Sequence, residues 1–351
     1  MAELHLGTAV KTITGCTKDP GEALFRRLRD EWRSLSIDYN DLVKWDWDSA
    51  PEELQEVARD VLKWAEEELK KKTFPRDDYK ELLELVVVGL GGEVEGFVFK
   101  LPGPDHHARW MAKSIYNSKM KLLSKVFKLS AEEQRQVDQV SEFVWLFYAK
   151  LWFTTPLPCS AARHDLTFMS SILEYRSINP KLCYEVLRST YRHLWYVTPQ
   201  MITLSLFDSG LEDKNKEGMA KMLHCQERGE ISTGKPTFPL LEFGATAARN
   251  DMSCLVGPES WLLFDLFAIT GPQDWLLTPA STWHLSPVFI ELQEHANNLV
   301  VINDLAERGC HLATEFIKRV DSEEQRQALY QVVEEHRARV KDANKDSLKL
   351  C

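Results

Sequence analysis

Residues 51–72, PEELQEVARDVLKWAEEELKKK, bring back an apolar side chain every three or four positions for about six turns. Leu54, Val57, Ala58, Val61, Leu62, Ala65 and Leu69 therefore share one helical face, whereas a strand would divide them between two. Pro51 and the carboxylates behind it open the segment and lysines close it, which suits the helix dipole. The same period recurs along the chain. RDDYKELLELVVVGLGG (76–92) predicts a second helix, with Asp77 or Asp78 near its start and Gly91-Gly92 at its end. Val86 to Val88 are the one place there where a short strand competes. SAEEQRQVDQVSEFVWLFYAKLWF (130–153) opens with the capping box Ser130–Glu133. VTPQMITLSLFD (197–208) offers Thr198 as a cap and Pro199 at the first helical position. LSPVFIELQEHANNLVVINDLAERGCHLATEFIKRV (285–320) repeats that device with Ser286 and Pro287, and unbroken it would run about nine turns, with Gly309 the expected place for a kink. A last helix is expected over DSEEQRQALYQVVEEHRARVK (321–341).

This periodicity predicts a mostly α, large multi-helix domain. Residues 226–286 differ: they are rich in Gly, Pro, Ser and Thr around Trp261, Trp275 and Trp283, and predict packed loops with short helices. The expected organisation is a helical domain over 1–225, a loop-rich packed connector over 226–286, and a C-terminal helical pair over 287–351 that packs on the first domain.

Composition narrows the function. A hydrophobic fraction of 44% and 11 tryptophans supply a real core, which excludes a chain disordered throughout. The formal net charge of −10, from 43 bases and 53 acids, disfavours nonspecific nucleic-acid binding by the chain as a whole and leaves only local basic faces for it. The seven cysteines are odd in number and form no CxxC, so a reducing, intracellular compartment is expected rather than a disulfide framework. No apolar leader occupies the first 30 residues, and runs such as FVWLFYAKLWF (143–153) are too short for a bilayer and broken by Lys150, so no membrane partner is expected.

One local basic face is legible. PGPDHHARWMAKSIYNSKMKLL (102–123) holds a Pro-Gly-Pro break and then bases without a carboxylate after Asp105. With Asp105 as cap of a helix to about residue 128, at about 100° per residue, Ala108, Met111, Ala112, Ile115, Leu122, Leu123 and Val126 fall in one arc. Arg109, Lys113, Lys121, Lys125 and Lys128 fall in another, with Trp110 among them. One reading is an amphipathic helix with a solvated basic face. The other is a phosphate-facing surface on which the bases track a nucleic-acid backbone and Trp110 stacks. The candidate binding residues are therefore Arg109, Trp110, Lys113, Lys121 and Lys125. His106-His107 is a poor metal pair, because adjacent helical positions diverge and zinc ligands on a helix sit at i and i+4. Capping or core hydrogen bonding is the competing role.

Other chemistry is faint. GLGGEVEG lacks the Lys-Ser/Thr of a phosphate loop, GPES is not a nucleophile elbow, and no cofactor or metal site is predicted. The remaining candidate is NDLAERG (303–309). On the wheel of the long predicted helix, Leu292, Ala296, Leu299, Ala306 and Cys310 form an apolar seam with Asn303 inside it and Glu307 at its edge. A carboxylate there needs a base, a hydrogen-bond set or a metal, and pairing with a neighbouring Arg or Lys is the bland alternative.

Five blocks, KDPGEALFRRLRDEW (18–32), LPGPDHHARWMAKSIYNSKM (101–120), HLWYVTPQMITLSLFD (193–208), VVINDLAERG (300–309) and QALYQVVEEHR (327–337), resemble in order a group of multicopy, transposon-derived animal proteins. Longer members of that group are similar to hAT-type transposases, whose RNase H-like catalytic fold is interrupted by a large helical insertion and closed by a Glu-bearing helix. The resemblance implies that AERG is the closing segment, that Glu307 is a vestigial counterpart of the catalytic Glu, and that the C-terminal helices are a remnant of the RNase H-like fold. It also implies that the Asp-bearing strands and the Cys/His segment would lie before Met1. Two-metal phosphoryl transfer needs several carboxylates converging on ions about 4 Å apart, and one Glu cannot hold them.

The expectation is thus a transposase-derived, noncatalytic helical protein that binds a protein or nucleic-acid partner, in the nucleus or cytoplasm, with homo-oligomerisation open to it. The alternatives are a stand-alone protein-interaction scaffold unrelated to DNA, or an enzyme with a site near Glu307. Exposure of Lys113, Lys121 and Lys125 together would favour nucleic acid; pairing of those lysines with the chain's own acids would favour a scaffold.

Overall fold

The computed structural model describes residues 2–15, 23–71, 74, 77–102, 110–154, 157–191, 195–226, 252–267 and 274–299. The chain divides into two units, 1–299 and 300–351, and the second lies outside the described residues. The first half of the larger unit holds α1 (Ala2–Thr14), α2 (Ala23–Glu31), α3 (Glu52–Lys70), α4 (Asp77–Gly89), α5 (Trp110–Leu122) and α6 (Ala131–Phe143). A π-helical turn, Val144–Tyr148, runs on into α7 (Ala149–Thr154). The second half holds α8 (Pro158–Glu174), α9 (Pro180–Tyr191), α10 (Pro199–Ile202), α11 (Asp213–Cys225), α12 (Leu262–Leu266) and α13 (Pro287–Asn298), with 3₁₀ turns between them. The fold is all-α: among the described residues no β-strand occurs.

Local signals set several of these elements. Leu54, Ala58, Val61 and Ala65 bury the face of α3 that the period marks out. α4 keeps Val86, Val87 and Val88 helical, because all three are buried and packing overrides the strand preference of β-branched residues. Gly91 adopts φ +93°, and Gly91 N and Gly92 N donate to Val88 O and Val87 O. This is a Schellman stop that a side chain at Gly91 would strain. Ser130 and Glu133 close both bonds of the capping box on α6, Glu133 N to Ser130 Oγ at 3.3 Å and Ser130 N to Glu133 Oε2 at 2.8 Å. The apolar run that follows is core: Phe143, Val144, Trp145, Leu146, Phe147, Tyr148 and Ala149 are all buried.

α5 lies between α4 and α6, with α1 also against it, while α1 packs on α9 and α3 on α4. Gly89 admits the Trp145 indole, whose nearest atoms would sit 2.7 Å from any Cβ placed there. α8 packs on the 3₁₀ turn Thr203–Phe207, and α11 receives the short helices of 252–255 and 274–285.

Two predicted helices are shorter than their periodicity suggests. Residues 197–208 form only the single turn α10 and then a 3₁₀ turn, where Thr203 Oγ1 donates to Ser260 O at 2.6 Å; Thr198 caps α10 without a side-chain hydrogen bond. The helix opened by Ser286 and Pro287 stops at Asn298, where Leu299 turns extended (ψ 122°), so the predicted nine-turn helix is not continuous. Asn297-Asn298 supply the reason, since asparagine competes for backbone hydrogen bonds and favours helix ends.

Candidate functional site

α5 carries most of the candidate binding residues, and its position between helices decides what they can do. The helix is buried almost all round, so the basic arc of the wheel is not a solvated face. Lys113 is 4% exposed. Asn117 Nδ2 donates back to Lys113 O at 2.8 Å, which keeps that buried amide satisfied. Lys121 is half-buried, and its Nζ donates to Asp138 Oδ1 on α6 at 2.7 Å. Lys125, in the turn after α5, donates to Asp41 Oδ1 at 2.7 Å with both side chains more than half exposed. Arg109 and the side chain of Trp110 lie outside the described residues, as do His106 and His107. The three lysines are thus distributed between the interior and two separate acids rather than displayed together.

The most deeply held base of α5 is one that the wheel left in neither arc. Lys119 is 1% exposed; its Nζ donates to Lys100 O at 2.7 Å and lies 5.3 Å from the centroid of the Trp32 ring. Glu81 Oε1 of α4 sits 2.6 Å from the same ammonium, without the angular alignment of a hydrogen bond. Burial pulls the Lys119 pKa down, and the charge of Glu81 opposes that shift. Only tertiary pairing identifies this ion pair, because nothing in either local sequence marks Glu81 or Lys119 as the buried member of its run.

A second polar group gathers along α8. Arg163 forms a forked pair with Asp208, Nε to Oδ2 at 2.5 Å and Nη2 to Oδ1 at 3.2 Å, and Gly210 N adds a third bond to Oδ1 at 2.9 Å. This clamps the chain after the 3₁₀ turn 203–207 onto α8. Burial lowers the pKa of the neighbouring His164 to about 4, with the Arg163 charge adding to the effect. Burial, and then the Asp208 charge, push the Cys159 thiol up, the opposite of what a thiolate nucleophile needs. Next to His164, Asp165 is 1% exposed, its Oδ2 has no hydrogen-bond partner, and burial raises its pKa to about 7. These arrangements brace the fold.

Glu307 and Asn303 lie outside the described residues, as do their neighbours Asp304 and His311. Among the described residues no three His, Cys, Asp or Glu side chains converge as a metal site would require, and no helix is long and apolar enough to cross a membrane. No family model, curated protein or solved structure matches the chain.

Proposed function

We propose that this chain is a transposase-derived helical scaffold that acts by binding a protein partner, and that it does not cleave nucleic acid. The observation that carries this reading is the fate of the bases of α5 and the turn after it: Lys119 faces Glu81, Lys121 faces Asp138, Lys125 faces Asp41, and Lys113 is buried. Buried bases such as Lys113 and Lys119 cannot reach a phosphate backbone to release its counterions, which is the term that dominates nucleic-acid affinity, and Lys121 and Lys125 would first have to leave their acids. The net charge of −10 adds long-range repulsion for a polyanion. The transposon origin rests on the five sequence blocks named above, and placement in the nucleus or cytoplasm goes with it.

Fluorescence anisotropy with a labelled 30-base-pair duplex and with a single strand of the same length tests the reading across a salt series. Weak binding with a shallow salt dependence is expected. A logarithmic salt slope of about −3 or steeper, reduced by Lys121→Gln and Lys125→Gln, would instead establish a nucleic-acid surface. A manganese-dependent nick in the duplex would overturn the noncatalytic part.

A further inference from the structure

An open groove of about 750 Å³ runs between α13 on one side and α10 and α12 on the other. Its two walls differ in chemistry. Half-buried Met201 of α10 and Phe267 just after α12, backed by the buried Leu263 of α12, form an apolar wall. Glu291, Glu294, His295 and Asn298 of α13 form the other wall, at i, i+3, i+4 and i+7, so they make one continuous stripe along the helix. All four are exposed, whereas Phe289, Leu292 and Ala296 anchor the opposite face of α13 in the core. Among the described residues no ion pair engages Glu291 or Glu294 and no Lys or Arg lines the groove. His295 is held in place: its Nδ1 is 2.7 Å from Glu291 O, and its ring lies 5.6 Å from that of Phe267.

From this geometry we propose that the groove docks an amphipathic helical segment of a protein partner, its apolar side on Met201 and Phe267 and its basic side on Glu291 and Glu294. The proposal rests on the scaffold reading and gives its partner a chemistry. A helix laid in a groove buries an apolar stripe at the same i, i+3, i+4, i+7 spacing that α13 presents, so the two match in pitch. Two parallel carboxylates without an internal cation supply the charge selectivity. An open trough of this kind suits a segment lying along it better than a small molecule, which needs a site enclosing most of its surface. An acidic or neutral helix would meet repulsion or lose the pairing, and that difference sets specificity and association rate.

The test uses the full chain and two synthetic amphipathic helices of about 18 residues, long enough to hold helical structure on binding. Both carry leucine on one face; one has lysines on the other and the second has glutamates. The lysine peptide should bind the native chain. The double variant Glu291→Lys/Glu294→Lys should weaken it by at least about tenfold and bind the glutamate peptide instead. A control, Glu53→Lys/Glu56→Lys on the exposed face of α3, makes the same change in net charge at the same spacing and should leave the lysine peptide's affinity within about twofold. Thermal unfolding of all variants checks that the fold is retained, as the exposure of all four glutamates predicts. Equal loss in both double variants would overturn the proposal, leaving only bulk charge attraction. Failure of the lysine peptide to bind the folded native chain would overturn it as well, and so would a self-association competed by that peptide, which would place a second copy in the groove. None of these outcomes touches the scaffold reading, which fails separately if DNA binds with a steep salt slope.

Discussion

α5 and α13 are built from similar material and do opposite things with their charges. On a helical wheel α5 has a basic arc and α13 has an acidic stripe, each opposite an apolar face. Packed between α4 and α6, with α1 on a further side, α5 has no side left for solvent, so its lysines are either buried or paired with acids from neighbouring segments. Among the described residues α13 packs through one face, and its carboxylates stay outward without an ion-pair partner. A wheel therefore reports which residues share a side of a helix but not how many sides the fold will cover. The charges that remain available to a partner belong to the helix with fewer neighbours, whatever their density in the sequence.

The sharpest way to break this comparison is at Lys119. Lys119→Met should leave Glu81 as a nearly buried, unpaired carboxylate and cost about 3–5 kcal/mol, read as a drop in the urea midpoint. Adding Glu81→Leu should recover most of that loss, since a buried pair replaced on both sides is often neutral. A surface-like cost, near that of an exposed pair, would mean that α5 is far more solvated than its burial implies.

The next effect concerns Asp165, a buried acid with one unbonded oxygen. The folded state holds its proton up to about pH 7, whereas the unfolded chain releases it near pH 4. The folded state binds more protons in that interval, so stability is greatest below the lower value and falls as pH rises through the interval, by at most about 4 kcal/mol. Asp165→Asn should flatten this fall and raise the melting temperature at pH 8 relative to pH 4. A wild-type midpoint that rises between pH 4 and 7 in parallel with the variant's would remove the effect.

Smaller effects calibrate the contrast. Ser130→Ala removes the capping box of α6 and should cost about 1 kcal/mol by chemical denaturation. Lys125→Gln breaks the exposed ion pair with Asp41 just after α5 and should change stability by less than about 1 kcal/mol. Glu291→Gln and Glu294→Gln should change it least, because nothing in the described fold depends on them. A larger loss at these two positions than at Lys125 would show that the α13 stripe is structural rather than open to a partner.

Much of the fold was legible before the tertiary structure. The starts at Ser130 and Ser286, the stop at Gly91-Gly92 and the buried face of α3 all follow from capping chemistry and the helical period. Two helices ran shorter than their periodicity because asparagines and a 3₁₀ turn intervened at positions where apolar spacing alone was continuous. The candidate site was less legible. Lys113, Lys121 and Lys125 could be placed on one side of a helix, but Lys113 is buried and the acids of Lys121 and Lys125 are Asp138 and Asp41, which no local pattern ties to them. Glu81 with Lys119, and Arg163 with Asp208, were missed for the same reason: each partner is ordinary in its own segment.

By itself, the amino-acid sequence determined that the chain is helical, where several of its helices begin and end, and that its net charge opposes polyanions, because these depend on the period of apolar residues, on capping groups and on a sum of charges. Only the tertiary structure decided which charges face one another and which face water. That choice depends on how many neighbours surround each helix, and burial makes an unpaired charge too costly to keep wherever the neighbours close in.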